Sequence, residues 1–423
     1  MSTQTSVATE FEKYEPLPIS CSLQDIRSAI PKHCFVRSAR RSLTYLLRDL
    51  VMAATLFVFV RKWDNIAGHI PGTVVAECAR WAGWAVYWWF QGLVFTGIWV
   101  LGHECGHGAF SPYPLLNDTL GYIIHSALWT PYFSWKISHH KHHTYHASME
   151  RDEVYVPKTR TDLGLPPVDR ATALDYEEIL GDTPLFTLFM LVRQQLLAFP
   201  AYLLLNVSGQ QRYPRWTNHF LPNSVLFTRK QRTAVLLSNL GLFVTALAVR
   251  TAVQVYGAAA VLKYYAFPWL AVTHWFILIT YLHHTDPLIP HFRGKAWTFT
   301  RGASATVDRS ILGWQGDFFL HSVARYHVLH HTRFSSSPKS RSASPRPAAY
   351  IHRKLTSVPV ADHAREATHA LRKCLGPQHY HFSDRPTFAV LWENYNRCQF
   401  VDDEGDVVFY RDRKGRLAGA VQA

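Results

Sequence analysis

The chain has 423 residues, 48% hydrophobic and 14% aromatic, and a mean hydropathy of -0.07. That length fits two or three soluble domains or one membrane protein, while 22 Gly and 23 Pro exclude collagen-like repeats and disorder throughout. A formal charge of +14 suggests an anionic membrane surface or nucleic acid as a partner.

The first forty residues are polar and mixed in charge, with no cleavable signal pattern. Leu50 to Val60 is a short apolar run ending at Arg61-Lys62, either a span completed by its flanks or a buried helix. Trp81 to Leu101 holds no charged side chain, and about 20 such residues cross a bilayer core as a helix. Trp and Tyr crowd its start, as in an interfacial belt. Pro184 to Val207 is apolar but interrupted by Arg193 and Pro200, which reads as an interfacial or half-inserted segment. Thr233 to Val249 and Tyr264 to Leu282 form a second pair of uncharged runs.

Two helical hairpins follow. Their connections, 61–80 and 250–263, carry only five basic residues, so most of the 44 lie in the N-terminal tail, central loop and C-terminal third. The positive-inside rule places those three regions in the cytosol. The expected fold is an all-α integral membrane protein with a cytosolic helical cap. Six scattered cysteines argue against both a disulfide scaffold and a Cys-rich zinc module.

Histidine is the anomaly: of 24, nine fall in three short clusters. The first, His103-Glu104-Cys105-Gly106-His107, puts two imidazoles at i, i+4 on one helix face. It also satisfies the H-E-x-x-H zinc-hydrolase pattern with Glu104 as base, and a polar helix end is the plainer alternative. The second is His139-His140-Lys141-His142-His143 and the third His327-Val328-Leu329-His330-His331. Both contain H-x-x-H-H, again one helix face, from which His140 falls away. Each alone would pass for a solvated loop, but three clusters on one membrane side point to metal. One zinc needs three or four ligands. Eight imidazoles suit two metals with open positions, and imidazole serves zinc, copper, iron or nickel alike. His284, at the end of the 264–282 run, is a ninth candidate; its neighbour His283 points about 100 degrees away.

The chain resembles the membrane fatty acid desaturases, closest to the fungal and plant oleate (delta-12) type. The resemblance runs from about residue 16 to 410, through SAIPKHCFVRS (28–38), HECGHGAFS (103–111), WKISHHKHH (135–143) and MERDEVYVPK (149–158). It continues in LITYLHHTDPLIPH (278–291), RGASATVDR (301–309) and HVLHH (327–331). It implies two iron ions that activate dioxygen and remove two hydrogens from an unactivated acyl chain. The implied ligands are His103, His107, His139, His142, His143, His284, His327, His330 and His331. It also implies electrons from cytochrome b5 and its NADH-dependent reductase. No haem-binding His-Pro-Gly-Gly motif is seen; HIPGT at 69–73 is not one. The implied location is the endoplasmic reticulum membrane, the implied product a cis double bond in an oleoyl chain on phospholipid. A hydroxylase or acetylenase of the same fold is the alternative, with an intramembrane zinc protease a more distant one. No nucleic acid is implied, and no catalytic residue beyond the metal ligands is assigned.

Two departures stand out. Where the family carries an acidic residue two positions before the third box, this chain has Arg325, which either withdraws an orienting carboxylate or points away from the metal. And 26 residues, Thr332 to Ser357, separate the third box from the family's next motif, at Val358-Pro359. With seven Ser, three Pro, six basic residues and no acid, they read as a basic disordered loop or a translated intron. The expected organisation is 1–49 N-terminal segment, 50–331 desaturase core, 332–357 insertion and 358–423 cytosolic remainder.

Overall fold

The computed structural model describes residues 19, 21–167, 170–172, 175, 181, 183–332 and 360–419. Most of the insertion, including residues 333–357, lies outside them.

Helix α1 (Leu23–Ala29) starts from a Ser22/Asp25 capping box and leads into a 3₁₀ turn, Lys32–Phe35. The first hairpin is α2 (Ala39–Gly68) and α3 (Thr73–Gly106). Both outrun their apolar stretches, so the Leu50–Val60 run is the middle of a full-length helix rather than a short one. Helices α4 (Pro114–Ala127) and α5 (Tyr132–Tyr145) follow. Next comes α6 (Pro184–Leu205), capped by the Thr183 hydroxyl and closed by Asn206 at φ 51°. Its interior Pro200 and exposed Arg193 do not break it. The second hairpin is α7 (Arg232–Tyr256) and α8 (Ala258–His284), turned at Gly257, whose φ of 84° favours glycine. Thus five helices, α2, α3, α6, α7 and α8, are long and apolar enough to cross a membrane, one more than the two hairpins supply.

Helix α3 is the centre of the bundle, packed by α2, α4 and α8, with α6 against α8 and α7 against α4 and α5. Its flank is buried from Leu93 through Cys105, while α7 turns Leu236, Leu240, Phe243 and Val244 outward. An exposed apolar stripe of that kind faces lipid in a membrane protein. Near the start of α3, Trp84, Tyr87 and Trp88 pack with Tyr264 of α8. From Trp84 to His103 the helix rises about 28 Å, close to the thickness of a hydrocarbon core. The aromatic belt and the histidines therefore sit at opposite ends.

The cap contains short elements: α9 (Phe299–Ser304), α10 (Trp314–Phe319), α11 (His327–Thr332), α12 (Val360–Leu375) and α13 (Thr387–Arg397). Two two-stranded sheets tie it together. β1 (His291–Phe292) pairs antiparallel with β4 (Val407–Val408), and β2 (Val307–Arg309) parallel with β3 (His381–Ser383). Ile26, Ile30 and Cys34 from the N-terminal segment pack with Val328 and Leu329 of α11 and Ala364, Ala367 and Leu371 of α12. The N- and C-terminal parts thus share one end of the bundle. A disulfide, Cys21–Cys374, clamps the same two segments across 353 residues. It is a single staple, not the scaffold that the cysteine spacing excluded.

Candidate metal centre

Four helices deliver the histidines. His103 sits in the last turn of α3 and His107 caps it, so the i, i+4 pair shares a face. Helix α5 presents His139, His142 and His143 inward and leaves His140 exposed, as the spacing predicts. Helix α11 buries His327, His330 and His331. His284 arrives at the end of α8, also buried.

They converge as two groups. In the first, His103, His107, His139, His143 and His330 bring one ring nitrogen each within 4.8 Å of one another. Its Nε2 atoms crowd closely: His103 to His139 2.9 Å, His107 to His103 3.0 Å, His107 to His139 3.0 Å and His143 to His139 3.1 Å. Four nitrogens aimed at one another cannot all find donors among themselves, whereas a cation in their midst takes every lone pair. In the second group, His142, His146, His284 and His331 likewise bring one ring nitrogen each within 4.8 Å of one another. His327 joins its edge, with Nε2 at 3.2 Å from that of His284 and 3.1 Å from that of His331. All nine sequence-predicted histidines therefore fall in or against these groups. His283 is buried against the ring of His327 and belongs to neither.

His146 is a tenth imidazole that the cluster pattern missed. Its signal was present: it lies four residues after His142, the same spacing as His103 and His107. Its Nδ1 donates to the Gly302 carbonyl at 2.7 Å, leaving Nε2 for the group. Gly302 permits this approach, since a Cβ there would lie 2.3 Å from the His146 carbonyl oxygen.

Neutral imidazole is the form that ligates metal, and burial favours it. Burial, then neighbouring imidazoles, holds His139, His143, His327 and His331 well below the ordinary histidine range. Carboxylates lie behind the rings. Burial alone would raise the Asp152 carboxyl, but the attraction of the His142 ring and its hydrogen bond outweigh it and hold it low. As a carboxylate it only accepts, so His142 Nδ1 donates to it at 2.9 Å and Nε2 carries the lone pair. Glu104 Oε1 lies 3.3 Å from His103 Nδ1 and 3.9 Å from His330 Nδ1. A hydrolase base must face the Nε2 side, where a metal-bound water would sit. Glu104 is on the other side, so the zinc-hydrolase reading of H-E-x-x-H is not supported.

Arg325 points away from the imidazoles. Its Nε and Nη2 pair with Asp317 at 2.9 and 2.8 Å, and Nη2 also reaches Ser310 Oγ at 3.0 Å. The acid that holds the third box is Asp308, whose carboxyl accepts from Val328 N and Tyr380 OH, each at 2.7 Å.

A mostly apolar cavity runs between α3, α5, α6 and α8. Trp99, Val100, Ala198, Phe276 and Ile277 line it, and His103, His139, His142, His284 and His327 form one wall. Trp135 stacks on His139 with ring centres 4.4 Å apart, shielding that wall from water. Members of both imidazole groups thus face one slot of hydrocarbon character. The fatty acid desaturase family model matches residues 80–335, which hold all three histidine boxes.

The chain belongs to the fatty acid desaturase family. It is an oxidoreductase of that family, and acyl lipid is its substrate class. A second model, a domain of unknown function (DUF3474), matches residues 1–57. The chain is 40% identical over 412 residues to a Delta(12) fatty acid desaturase of Mortierella isabellina, covering 96% of this chain and 94% of that one. It is 38% identical to a Delta(12) fatty acid desaturase of Calendula officinalis, over 92% of both chains. It is also 36% identical to an oleate hydroxylase of Claviceps purpurea, over 94% of this desaturase-family chain and 82% of the relative.

Proposed function

We propose that this chain is a delta-12 acyl-lipid desaturase that introduces a cis double bond into an oleoyl chain esterified to phospholipid. The observation that carries the reading is an apolar cavity with imidazoles of both groups in its wall. An acyl chain lying there presents unactivated methylenes, which offer nothing to acid–base attack. Two bound irons would supply the dioxygen activation and hydrogen removal that such carbons require.

The chain's own residues then have definite tasks. His103, His107, His139, His143 and His330 would hold one iron, and His142, His284, His327 and His331 the other, with His146 beside them. Asp152 keeps the proton of His142 on Nδ1, and Glu104 lies behind His103 and His330. Trp99, Phe276 and Ile277 orient the acyl chain and exclude water. Electrons would come from a separate cytochrome b5 and its NADH-dependent reductase, with the protein in the endoplasmic reticulum membrane and the histidines facing the cytosol.

Expression in a yeast lacking polyunsaturated lipids, followed by fatty acid profiling, tests the reading. Linoleate should appear at the expense of oleate. A 12-hydroxy or acetylenic product would move the chain to the alternative outcome that the Claviceps purpurea relative's name describes. An unchanged profile from membrane-inserted, iron-loaded protein would refute the assignment.

A further inference from the structure

Outside the histidine-lined cavity, a second set of metal-binding side chains comes together where the N-terminal segment meets α12. His33 and Cys34 lie in the 3₁₀ turn Lys32–Phe35, and His363 and Glu366 one turn apart on α12. Each offers one atom, and all four lie within 4.8 Å of one another. His33 Nε2 is 2.7 Å from Glu366 Oε2, and Cys34 Sγ is 3.6 Å from His33 Nε2 and 3.7 Å from Glu366 Oε2. The His363 ring stands edge-on to that of His33 at 5.2 Å. A tetrahedral zinc with bonds of about 2.0–2.3 Å holds its ligand atoms about 3.3–3.8 Å apart, so little movement is needed.

We propose that His33, Cys34, His363 and Glu366 form a structural zinc site that fastens the N-terminal segment to α12. The donor set is one soft sulfur, two imidazoles and a carboxylate, a combination that suits zinc and fills its four positions. Without a cation, burial and the neighbouring Glu366 push the Cys34 thiol up to about 11, so it stays protonated. Zinc binding forms the Zn–S bond as the thiol proton passes to solvent, with no change of oxidation state.

The site has a mechanical consequence. Helix α12 resumes the described chain only at Val360, after residues 333–359, and its inner face covers Val328 and Leu329 of the third-box helix. A cation at His363 and Glu366 would hold that lid from outside, while Cys21–Cys374 holds its far end.

The test uses the full chain purified in detergent, with metals counted by mass spectrometry. The expected result is about one zinc per chain in addition to iron. Loading with cobalt(II) in place of zinc should give a thiolate-to-cobalt absorption band, which the histidine groups, having no sulfur, cannot produce. Cys34→Ser should abolish the band, and His363→Ala, at a half-buried position, should lose the zinc while keeping iron and desaturation. If Cys34→Ser fails to fold, His363→Ala and Glu366→Gln decide the matter alone. A folded wild-type protein with neither zinc nor band, or variants that retain both, would overturn the site.

Discussion

Asp152 accepts a hydrogen bond from Nδ1 of His142 at 2.9 Å, with both side chains buried. The carboxylate fixes the ring's tautomer and orientation, and partners of this type change metal affinity or activity about 10–100-fold when removed. Asp152→Asn should therefore lower retained iron and desaturation by a factor in that range, with membrane insertion unchanged. Iron per chain and the linoleate-to-oleate ratio measure it, and wild-type values for both would remove Asp152 from the site's support.

Arg325 lacks the role that its position beside the third box suggested. It is paired with Asp317, and both are partly exposed, so the pair contributes only about 0–1 kcal/mol. Arg325→Glu should not raise iron content, because the new carboxylate would face Asp317 rather than an imidazole. It should lower thermal stability through like-charge contact, while Asp317→Arg added to Arg325→Glu should restore it. A gain of iron in the single Glu variant would show that the side chain can reach the centre.

Asp308 predicts a pH effect. Burial pushes its carboxyl up to about 7, despite the hydrogen bonds from Val328 N and Tyr380 OH that favour the charged form. A raised acid pKa means the folded state binds the proton more tightly than the unfolded one between about pH 4 and 7. This contribution to stability is complete below pH 4 and is lost as pH rises through 7. Asp308→Asn keeps an acceptor for Val328 N and does not titrate. Wild-type melting temperature should therefore fall relative to Asp308→Asn as pH rises from 4 to 7.5, and parallel curves would contradict it.

The spans were legible because uncharged runs must lie in lipid, yet α3 begins at Thr73, eight residues before Trp81, and includes Glu77 and Arg80. Polar and charged residues outside the hydrocarbon extend a helix beyond its apolar run, so hydropathy underestimates its length. The boxes were legible because i, i+3 and i+4 spacing is a local property of one helix. Helix α6 is continuous through Arg193 and Pro200, which a helix accommodates when one points outward and the other only bends it, and its length and composition are compatible with a span as well as with the interfacial reading. Asp152 and Asp308 carried no local signal: each meets its partner 10 and 20 residues away, through tertiary packing alone. The cavity draws on four helices and has no one-dimensional trace.

Ala198 also lines that cavity, on α6, a helix that carries no histidine, so a large side chain there should displace an acyl chain without removing a ligand. Overpacking costs about 1–3 kcal/mol, and 1.4 kcal/mol is tenfold in an equilibrium. Ala198→Trp should reduce desaturation about tenfold or more while iron per chain stays at the wild-type level. Loss of iron and activity together would instead mean the helix had moved and the metal groups with it.

Residues 333–359 connect two helices that are already in contact. Val328 and Leu329 of α11 share one core cluster with Ala364, Ala367 and Leu371 of α12, so the core itself holds the two helices together. Loop-closure entropy changes slowly with length, about 0.6 kcal/mol per doubling, so shortening a connection between fixed ends alters stability little. Deleting most of the segment and keeping a few linking residues should leave iron content and desaturation near wild type. The mature transcript separates the two origins of the segment. A message lacking the basic stretch identifies it as intron, and the shortened chain is then the natural one. A message containing it leaves a run of six Lys or Arg with no acid between 332 and 357. In that case the deletion should weaken association with anionic vesicles, and the loss should shrink as salt is raised, because such attraction is screened within about 8 Å at physiological ionic strength. Equal vesicle binding by the full and shortened proteins would remove the headgroup role.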